Sequence, residues 1–252
     1  MITYHIISLF PEIIEPYLNA SILKRAQEKG LIVIKYYNPR GFVLPSDISA
    51  KGGGKSKNAG LTYADRRIDD RPYGGGPGMV IEALPIMRAI EKALSNKIRN
   101  PKSKENSKFR TKKKKVKIIF FSPAGKQFTN TIADSFKKYT DIIFVCGRYE
   151  GVDARIKKVF PMVDISVGPY VLTGGELPSA IVIDAITRRI RGVLGDDSSI
   201  EEARIASPDV YTRPEVIDYK GKNYKVPKIL LTGHHKNIDE WKNSRKTTNR
   251  PK

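Results

Sequence analysis

Short apolar runs alternate with segments of helical periodicity along the first 190 residues of the chain. β-Branched and aromatic residues are enriched in five of these runs, which predict β-strands: ITYHIISLF, LIVIKYY, VKIIFFS, DIIFVCG and MVDISV. The intervening segments predict helices: YLNASILKRAQEKG, closed by Gly30, then LPIMRAIEKAL, QFTNTIADSFKKY, VDARIKKV and LPSAIVIDAITRRI. Strands that are apolar on both faces and alternate with helices indicate an α/β fold, in which helices cover both faces of a parallel sheet.

Three glycine-bearing loops follow three consecutive predicted strands: SPAGK, CGRYEG and VGPYVLTGGELP. In parallel sheets ligands bind at the carboxyl ends of the strands, so these loops predict a binding pocket. The alternative, that they are three ordinary turns, stays open at this point. Residues 39–78 are rich in glycine and lack a helical period, which predicts a loop that is unusually long unless it has a function.

The composition changes near residue 195. Residues 196–207 are polar and acidic, which is typical of an interdomain linker, and a solvated acidic segment without further role is the alternative. Residues 208–252 are expected to form a small, mostly helical unit that contains one amphipathic helix, NIDEWKNSRK. The sequence therefore predicts a main domain over residues 1–195 and a small C-terminal domain.

Positive charge is concentrated in one stretch of the chain. The net charge is +20, and residues 97–117 contain eleven Lys or Arg against Glu105 alone. We expect residues 97–115 to form a flexible basic insert that contacts phosphates, or else a loop that only improves solubility. The overall charge favours a polyanionic partner, most simply nucleic acid, over its rival, an anionic membrane surface.

Several other classes of protein are excluded by missing patterns. No apolar run reaches the length of a membrane span, and the N-terminus lacks the basic region of a signal peptide. Cys146 is the only cysteine, which rules out an intrachain disulfide and argues against a Cys/His zinc site. Gly54, Lys55 and Ser56 resemble part of a phosphate-binding loop, but Ser49 stands where its first glycine belongs. We expect a cytoplasmic protein with no membrane partner and no resident metal site.

Five motifs, in this order, resemble the bacterial tRNA (guanine-N1)-methyltransferases of the SPOUT superfamily: DDRPYGGGPGM, CGRYEGVD, VGPYVLTGGELP, RGVLG and YTRPEV. The resemblance covers most of residues 1–245. It implies a C-terminal trefoil knot in the sheet, a homodimer whose active sites are shared between subunits, and methyl transfer from S-adenosylmethionine to N1 of guanosine 37 of tRNA. The C-terminal domain would bind tRNA, and magnesium dependence stays open.

The resemblance also implies site residues. S-adenosylmethionine would be held by Ser122, Pro123, Gly147, Tyr149, Val167, Gly168, Pro169, Tyr170, Val171, Leu172, Gly174, Gly175 and Pro178. Glycines there permit close backbone approach to a ligand, whereas Tyr170 is alternatively a packing aromatic. The guanine side would be formed by Glu150, Asp70, Arg71 and Tyr73.

The reaction itself requires two groups. N1 of neutral guanine carries a proton, so a base must remove it, and a cationic donor must stabilise the negative charge that develops on O6. By resemblance Arg188 is the donor at O6. The family's aspartate base aligns with Glu202 here, and Glu201 is the alternative.

Besides Glu202 in place of the family's aspartate, the chain departs from the family pattern in three places. Residues 49–60 enlarge the loop before DDRPYGGGPGM, residues 97–115 are inserted, and the sequence ends at NRPK where family members usually continue, so we expect a truncated tRNA-binding domain. These departures keep two alternatives open: a non-catalytic RNA-binding protein on the same scaffold, and a methyltransferase with a different RNA target.

Overall fold

The computed structural model describes residues 1–50, 62, 64–95, 115–194 and 209–246. The predicted linker, both candidate bases Glu201 and Glu202, and the basic insert except Lys115 lie outside these residues. The chain divides into two compact units, Met1–Val193 and Leu194–Lys252. Each unit is described by itself.

A five-stranded parallel sheet forms the centre of the first unit. Its strands are β1 (Ile2–Ile7), β2 (Ile32–Tyr37), β5 (Val116–Gln127), β6 (Asp141–Val145) and β7 (Val163–Ser166), in the order β2-β1-β6-β5-β7. All five predicted strands are present. Every residue of β1 and β6 is buried, because both faces of the sheet are covered.

Two apolar cores lie on opposite faces of the sheet. Alternate residues of each central strand enter different cores: Tyr4 and Phe144 pack in one, Ile143 and Val145 in the other. The first core also receives residues of helices α2 (Ser21–Glu28), α5 (Asn130–Phe136) and α7 (Glu176–Thr187). The second receives residues of α4 (Ala83–Ser95) and α6 (Arg155–Val159). The predicted three-layer α/β arrangement is therefore confirmed.

The structure changes the predicted boundaries of the first helix. The segment from residue 17 to 30 is not one helix, because α1 (Glu15–Leu18) ends before Ser21, whose φ is 48°. The helix α2 ends at Glu28, and Gly30 follows with a φ of 67°, a conformation that glycine adopts without strain.

The predicted loop over residues 39–78 contains short elements. They are a 3-10 helix (Pro39–Phe42), α3 (Pro45–Ala50), a 3-10 helix (Ala64–Arg66) and β3 (Asp69–Asp70), which pairs antiparallel with β4 (Val80–Ile81). None is long enough for its periodicity to stand out in the sequence.

Strand β5 is longer than predicted. It continues through the SPAGK segment, which was expected to be a loop, and pairs again with β7 at Lys126 and Gln127. Phe121 and Lys126 both pair with Ile165, so the four residues between them bulge from the ladder. Ser122 and Pro123 lie in this bulge, at the edge of the sheet where a ligand was expected.

In the second unit, the described residues form a β-hairpin, a 3-10 helix (Lys228–Leu231) and α8 (His235–Lys246). The helix was predicted, but the hairpin of β8 (Val216–Tyr219) and β9 (Lys222–Lys225) was not. The expectation of a mostly helical unit is therefore incomplete. Both hairpin strands are exposed along their whole length.

Candidate functional site

Two loops and the bulge of β5 meet at the carboxyl edge of the sheet, where the sequence predicts three loops. Arg148, in the loop after β6, forms an antiparallel bridge with Gly174, in the loop after β7. The backbone N–H of Gly175 also donates to the carbonyl oxygen of Gly147 at 3.0 Å. Between these loops and the β5 bulge lies a cavity of about 450 Å³, here called the first cavity. This volume is within the range of small-molecule sites, about 300–1,000 Å³.

Twelve of the thirteen residues predicted to bind a cofactor line the first cavity: Ser122, Pro123, Gly147, Tyr149, Val167, Gly168, Tyr170, Val171, Leu172, Gly174, Gly175 and Pro178. Pro169 is not among its lining residues. The cavity also contains residues that the sequence analysis did not single out, among them Arg148, Lys157 and Phe120. Glu150, predicted on the guanine side, reaches the same cavity.

Glycines allow the loops around the first cavity to approach one another closely. A Cβ atom at Gly175 would lie 2.6 Å from Cys146 Cα, and one at Gly168 would collide with the ring of Tyr170. The Tyr170 hydroxyl donates to the carbonyl oxygen of Val167 at 3.2 Å, so this ring folds back onto its own loop. The glycine-rich stretch before α7 is thus shaped by close backbone contacts around an open volume.

A tight turn presents Tyr149 and Glu150 to the first cavity. The N–H of Gly151 donates to the carbonyl of Arg148 at 2.9 Å, and Tyr149 has a φ of 58°. Left-handed backbone at a residue other than glycine is uncommon and is found disproportionately at functional sites. The turn therefore holds its side chains in a conformation that the surrounding structure enforces.

The glycine-rich DDRPYGGGPGM segment packs against the same turn. Glu150 N–H donates to the Met79 carbonyl at 3.0 Å, and a Cβ at Gly78 would lie 2.6 Å from Glu150 Oε1. A parallel bridge between Ile81 and Val152 continues this contact. Two motifs that are about 70 residues apart in the sequence thus pack against each other beside the first cavity.

The remaining predicted guanine-side residues lie outside the first cavity. Asp70 and Arg71 line a separate cavity of about 510 Å³ together with Asp47 and Met79, and Tyr73 is fully exposed. None of these three residues lines the first cavity with Glu150.

Arg188 lies in a second cavity of about 570 Å³, on the outer side of α7. Apolar side chains dominate its lining, including Ile13, Leu177 and Ile181, and it shares Tyr170 and Leu172 with the first cavity. The Tyr17 hydroxyl donates to Asp184 Oδ2 there, and this hydrogen bond raises the pKa of Tyr17 to about 12. The phenol therefore stays protonated at neutral pH.

A buried polar cluster lies beneath the first cavity. Glu176, 1% exposed, accepts a hydrogen bond from Ser8 Oγ at 2.6 Å and lies 3.1 Å from Arg148 Nε. Burial raises the pKa of the neighbouring Cys146 thiol, and the negative charge of Glu176 raises it further. Arg148 and Glu176 lie in two of the motifs that predict a binding pocket, but nothing in the spacing of these motifs indicates that the two side chains pair.

Within residues 1–50, 62, 64–95, 115–194 and 209–246, no three or more His, Cys, Asp or Glu side chains are grouped as metal ligands. Over the same residues, no helix has both the length and the apolar character needed to cross a bilayer.

Comparison with known proteins identifies the family. The sequence profile described as "tRNA (Guanine-1)-methyltransferase TrmD" matches residues 2–55 and 61–252. Proteins named tRNA (guanine-N(1)-)-methyltransferase are similar throughout: that of Clostridioides difficile is 39% identical, with 95% of this chain and 90% of the relative aligned. The protein of Dictyoglomus turgidum is 38% identical, with 96% of this chain and 84% of the relative aligned. The protein of Porphyromonas gingivalis is 37% identical, with 94% of this chain and 90% of the relative aligned. The resemblance seen in the motifs is confirmed, and the chain belongs to the tRNA (guanine-1)-methyltransferase family.

Proposed function

We propose that this protein transfers a methyl group from S-adenosylmethionine to N1 of guanosine 37 in tRNA. The observation that carries the proposal is the first cavity, which two motif loops and the β5 bulge form at the carboxyl edge of the sheet. Family membership supports the reaction class and the tRNA substrate. The proposed substrate places the activity in the cytoplasm.

The first cavity fits the proposed cofactor in size and chemistry. Backbone amides and carbonyls of a glycine-bearing loop suit an adenine and a ribose, and apolar Leu172 and Val167 suit the flat faces of a purine. S-adenosylmethionine would supply an electrophilic methyl group attached to a positively charged sulfur. We also propose that the chain around this cavity forms the trefoil knot of the superfamily.

Arg188 would stabilise the charge that forms on guanine O6. A guanidinium is a cation that donates hydrogen bonds in a fixed planar geometry. When the N1 proton is removed, the guanine ring gains negative charge that a cation at O6 lowers in energy. Arg188 follows α7, whose packing against the sheet holds the end of the helix in place.

The base would be Glu202, with Glu201 as the alternative; both lie outside the described residues. The carboxylate would accept the N1 proton, which frees the N1 lone pair to take up the methyl group. S-adenosylmethionine would supply that group and would keep the electron pair of the carbon–sulfur bond. Glu150 would hold the guanine from the side of the DDRPYGGGPGM loop. Magnesium is not assigned a step.

Cofactor binding and product identity together test this function. Titration calorimetry is expected to show one S-adenosylmethionine site per chain. Nucleosides from treated tRNA are expected to contain 1-methylguanosine as the new product. Cofactor binding without any methylated nucleoside would instead favour the alternative, a non-catalytic RNA-binding protein.

A homodimer with shared active sites is part of the proposal. Arg188 lines the second cavity together with large apolar side chains that are exposed to solvent. Ile13 is 47% exposed, Leu177 is 53% exposed and Ile181 is 46% exposed. Exposed apolar patches of this kind mark interaction surfaces. A second copy of the chain would cover them and would complete the guanine site around Arg188.

Replacing Ile181 with glutamate is expected to convert the dimer to a monomer, because burying an unpaired carboxylate at the interface is unfavourable. Light scattering after size exclusion measures the change, and methyl transfer is expected to fall with it. Val159→Glu is the matched control, because Val159 is also exposed on a helix but lies outside the second cavity. A dimer that persists in Ile181→Glu would contradict this interface.

We propose that the second unit binds tRNA through its hairpin. Ile217 pairs with Tyr224, and Tyr219 with Lys222, so these four side chains share one exposed face. Lys222 Nζ lies 5.5 Å from the centre of the Tyr224 ring, and Lys220 Nζ 5.3 Å from that of Tyr219. Exposed aromatic rings beside cations favour stacked bases and nearby phosphates.

Tyr219→Ala and Tyr224→Ala are each expected to raise the Kd for tRNA about tenfold, since a stacked base contributes roughly 1–3 kcal/mol. Filter binding measures the tRNA Kd, and the cofactor Kd should not change. Asn223→Ala, on the opposite face of the hairpin, is the control. If Tyr219→Ala and Tyr224→Ala bind tRNA as tightly as wild type and Asn223→Ala do, the hairpin is not part of the tRNA-binding surface.

A further inference from the structure

The cluster formed by Ser8, Glu176 and Arg148 has no role in the proposed reaction. Glu176 begins α7, and Ser8 follows β1, so the 2.6 Å hydrogen bond between them joins elements 168 residues apart in the chain. Arg148, with a side chain 17% exposed, brings its Nε within 3.1 Å of the second carboxylate oxygen. A buried carboxylate is unfavourable unless it is paired, and Ser8 and Arg148 are the partners of Glu176 here.

The cluster joins both glycine-bearing loops of the first cavity. Arg148 belongs to the turn after β6, and its backbone bridges Gly174 in the loop after β7. A Cβ at Gly174 would collide with Glu176 Oε2 and would lie 2.6 Å from Arg148 Nε. Glu176 and Arg148 thus occupy the space that a side chain at Gly174 would need, and Arg148 also lines the first cavity.

The segment after β1 completes the cluster. The N–H of Phe10 donates to Ser8 Oγ at 3.0 Å, while Ser8 Oγ donates to Glu176. The Arg148 guanidinium carbon lies 5.1 Å from the centre of the Phe10 ring, within the range of cation–π contacts. Arg148 is therefore held from two sides, by the carboxylate and by an aromatic ring.

The contact between Arg148 and Glu176 depends on charge more than on direction. Among the described residues, neither Arg148 Nε nor Glu176 Oε2 has a hydrogen-bond partner of good geometry, although the two atoms are 3.1 Å apart. A neutral glutamine at residue 176 would retain an acceptor for Ser8 but would lose the attraction for Arg148. The charge and the hydrogen bond can therefore be separated by substitution.

We infer that Glu176 is a positioning residue for cofactor binding. Its carboxylate holds Arg148, and through Arg148 it keeps the turn after β6 and the loop after β7 at the separation that the first cavity requires. Glu176 lies behind the cavity wall and touches no reacting atom. The inference rests on the proposed cofactor site.

The test uses the full-length protein with Glu176→Gln, Arg148→Met and the double variant. Glu176→Gln is expected to lower the Tm and to raise the Kd for S-adenosylmethionine at least tenfold in calorimetry. In the double variant no unpaired charge is buried, so the Tm should recover, whereas the Kd should stay at least tenfold raised. With saturating cofactor, kcat of Glu176→Gln should stay within about threefold of wild type, so the loss appears in KM for the cofactor.

Two further variants keep the test decisive. Ser8→Ala preserves both charges and removes one hydrogen bond, so its cofactor Kd should rise by about threefold even if Glu176→Gln does not fold. Glu28→Gln is the matched control, because it removes the carboxylate of an exposed pair with Lys24 on α2 and should leave the Kd unchanged.

The outcomes separate this inference from the proposed function. If the double variant regains cofactor affinity together with the Tm, the cluster is only structural and the inference is wrong. The same conclusion follows if Glu176→Gln, or Ser8→Ala in its place, binds the cofactor as tightly as wild type. If wild type binds no S-adenosylmethionine, the proposed function fails and this inference fails with it.

Discussion

Replacing Arg188 with alanine is expected to lower kcat for methyl transfer to tRNA about 10²–10³-fold, the usual effect of removing one donor to a developing oxyanion. The cofactor Kd should change little, because Arg188 lines the second cavity and not the first. Single-turnover kinetics with saturating cofactor and tRNA measure the chemical step directly. Arg188→Lys should recover part of the rate, since it keeps the charge and loses the planar geometry.

Arg189 supplies the control for this variant. It is the next residue, yet its side chain is buried and its Nη1 lies 3.1 Å from Asp134 Oδ2 on α5. Arg189→Ala should therefore lower the Tm and leave the chemical step of the folded enzyme nearly unchanged. A reversed result, with a slow chemical step in Arg189→Ala and normal chemistry in Arg188→Ala, would move the role at O6 to Arg189.

Replacing Gly175 with alanine should weaken cofactor binding strongly. The new Cβ would lie 2.6 Å from Cys146 Cα, and since Cys146 follows the buried strand β6, the loop must move instead. Overpacking of this kind costs about 1–3 kcal/mol. Because Gly175 lines the first cavity, this displacement of the loop is expected to raise the Kd for S-adenosylmethionine about 5- to 150-fold. Titration calorimetry measures this Kd.

Gly41→Ala is the control for the glycine substitution. A Cβ there meets no atom within 4 Å, and Gly41 does not have a positive φ. Its effect on stability should stay within about 0.5 kcal/mol, and its effect on the cofactor Kd should be nil. Unchanged cofactor affinity in a folded Gly175→Ala protein would mean that the close approach at Gly175 does not shape the binding site.

The sheet could be predicted from sequence because its strands are buried on both faces. Runs such as DIIFV carry a continuous apolar signal, and burial of every residue of β6 is its structural counterpart. The extension of β5 could not be predicted, because proline and glycine in SPAGK normally indicate a loop. There the backbone leaves the ladder at Phe121 and returns at Lys126, which only the pairing with β7 reveals.

The hairpin of the second unit was missed for the opposite reason. Its strands are exposed on both faces, so VIDY and KNYK carry neither an apolar run nor a clean alternation. The turn residues Lys220 and Gly221 both have positive φ, but Lys-Gly is a weaker turn signal than Asn-Gly or Asp-Gly. Local sequence alone therefore did not distinguish this hairpin from a loop.

Most lining residues of the first cavity could be predicted from the sequence, because they belong to motifs of the family. The packing of Gly78 against Glu150 and the pairing of Arg148 with Glu176 could not be predicted, since both depend on contacts between distant segments. The roles of Asp70, Arg71 and Tyr73 stay predictions, because none of the three lines the first cavity.

The most direct test of the account is methyl transfer from labelled S-adenosylmethionine to a tRNA transcript with guanosines at positions 36 and 37, compared with the same transcript carrying adenosine at 37. Label is expected in the first transcript alone, recovered as 1-methylguanosine. Label in both transcripts would contradict guanosine 37 as the target. Label in neither, with the cofactor bound, would contradict methyl transfer to tRNA and would leave an RNA-binding protein.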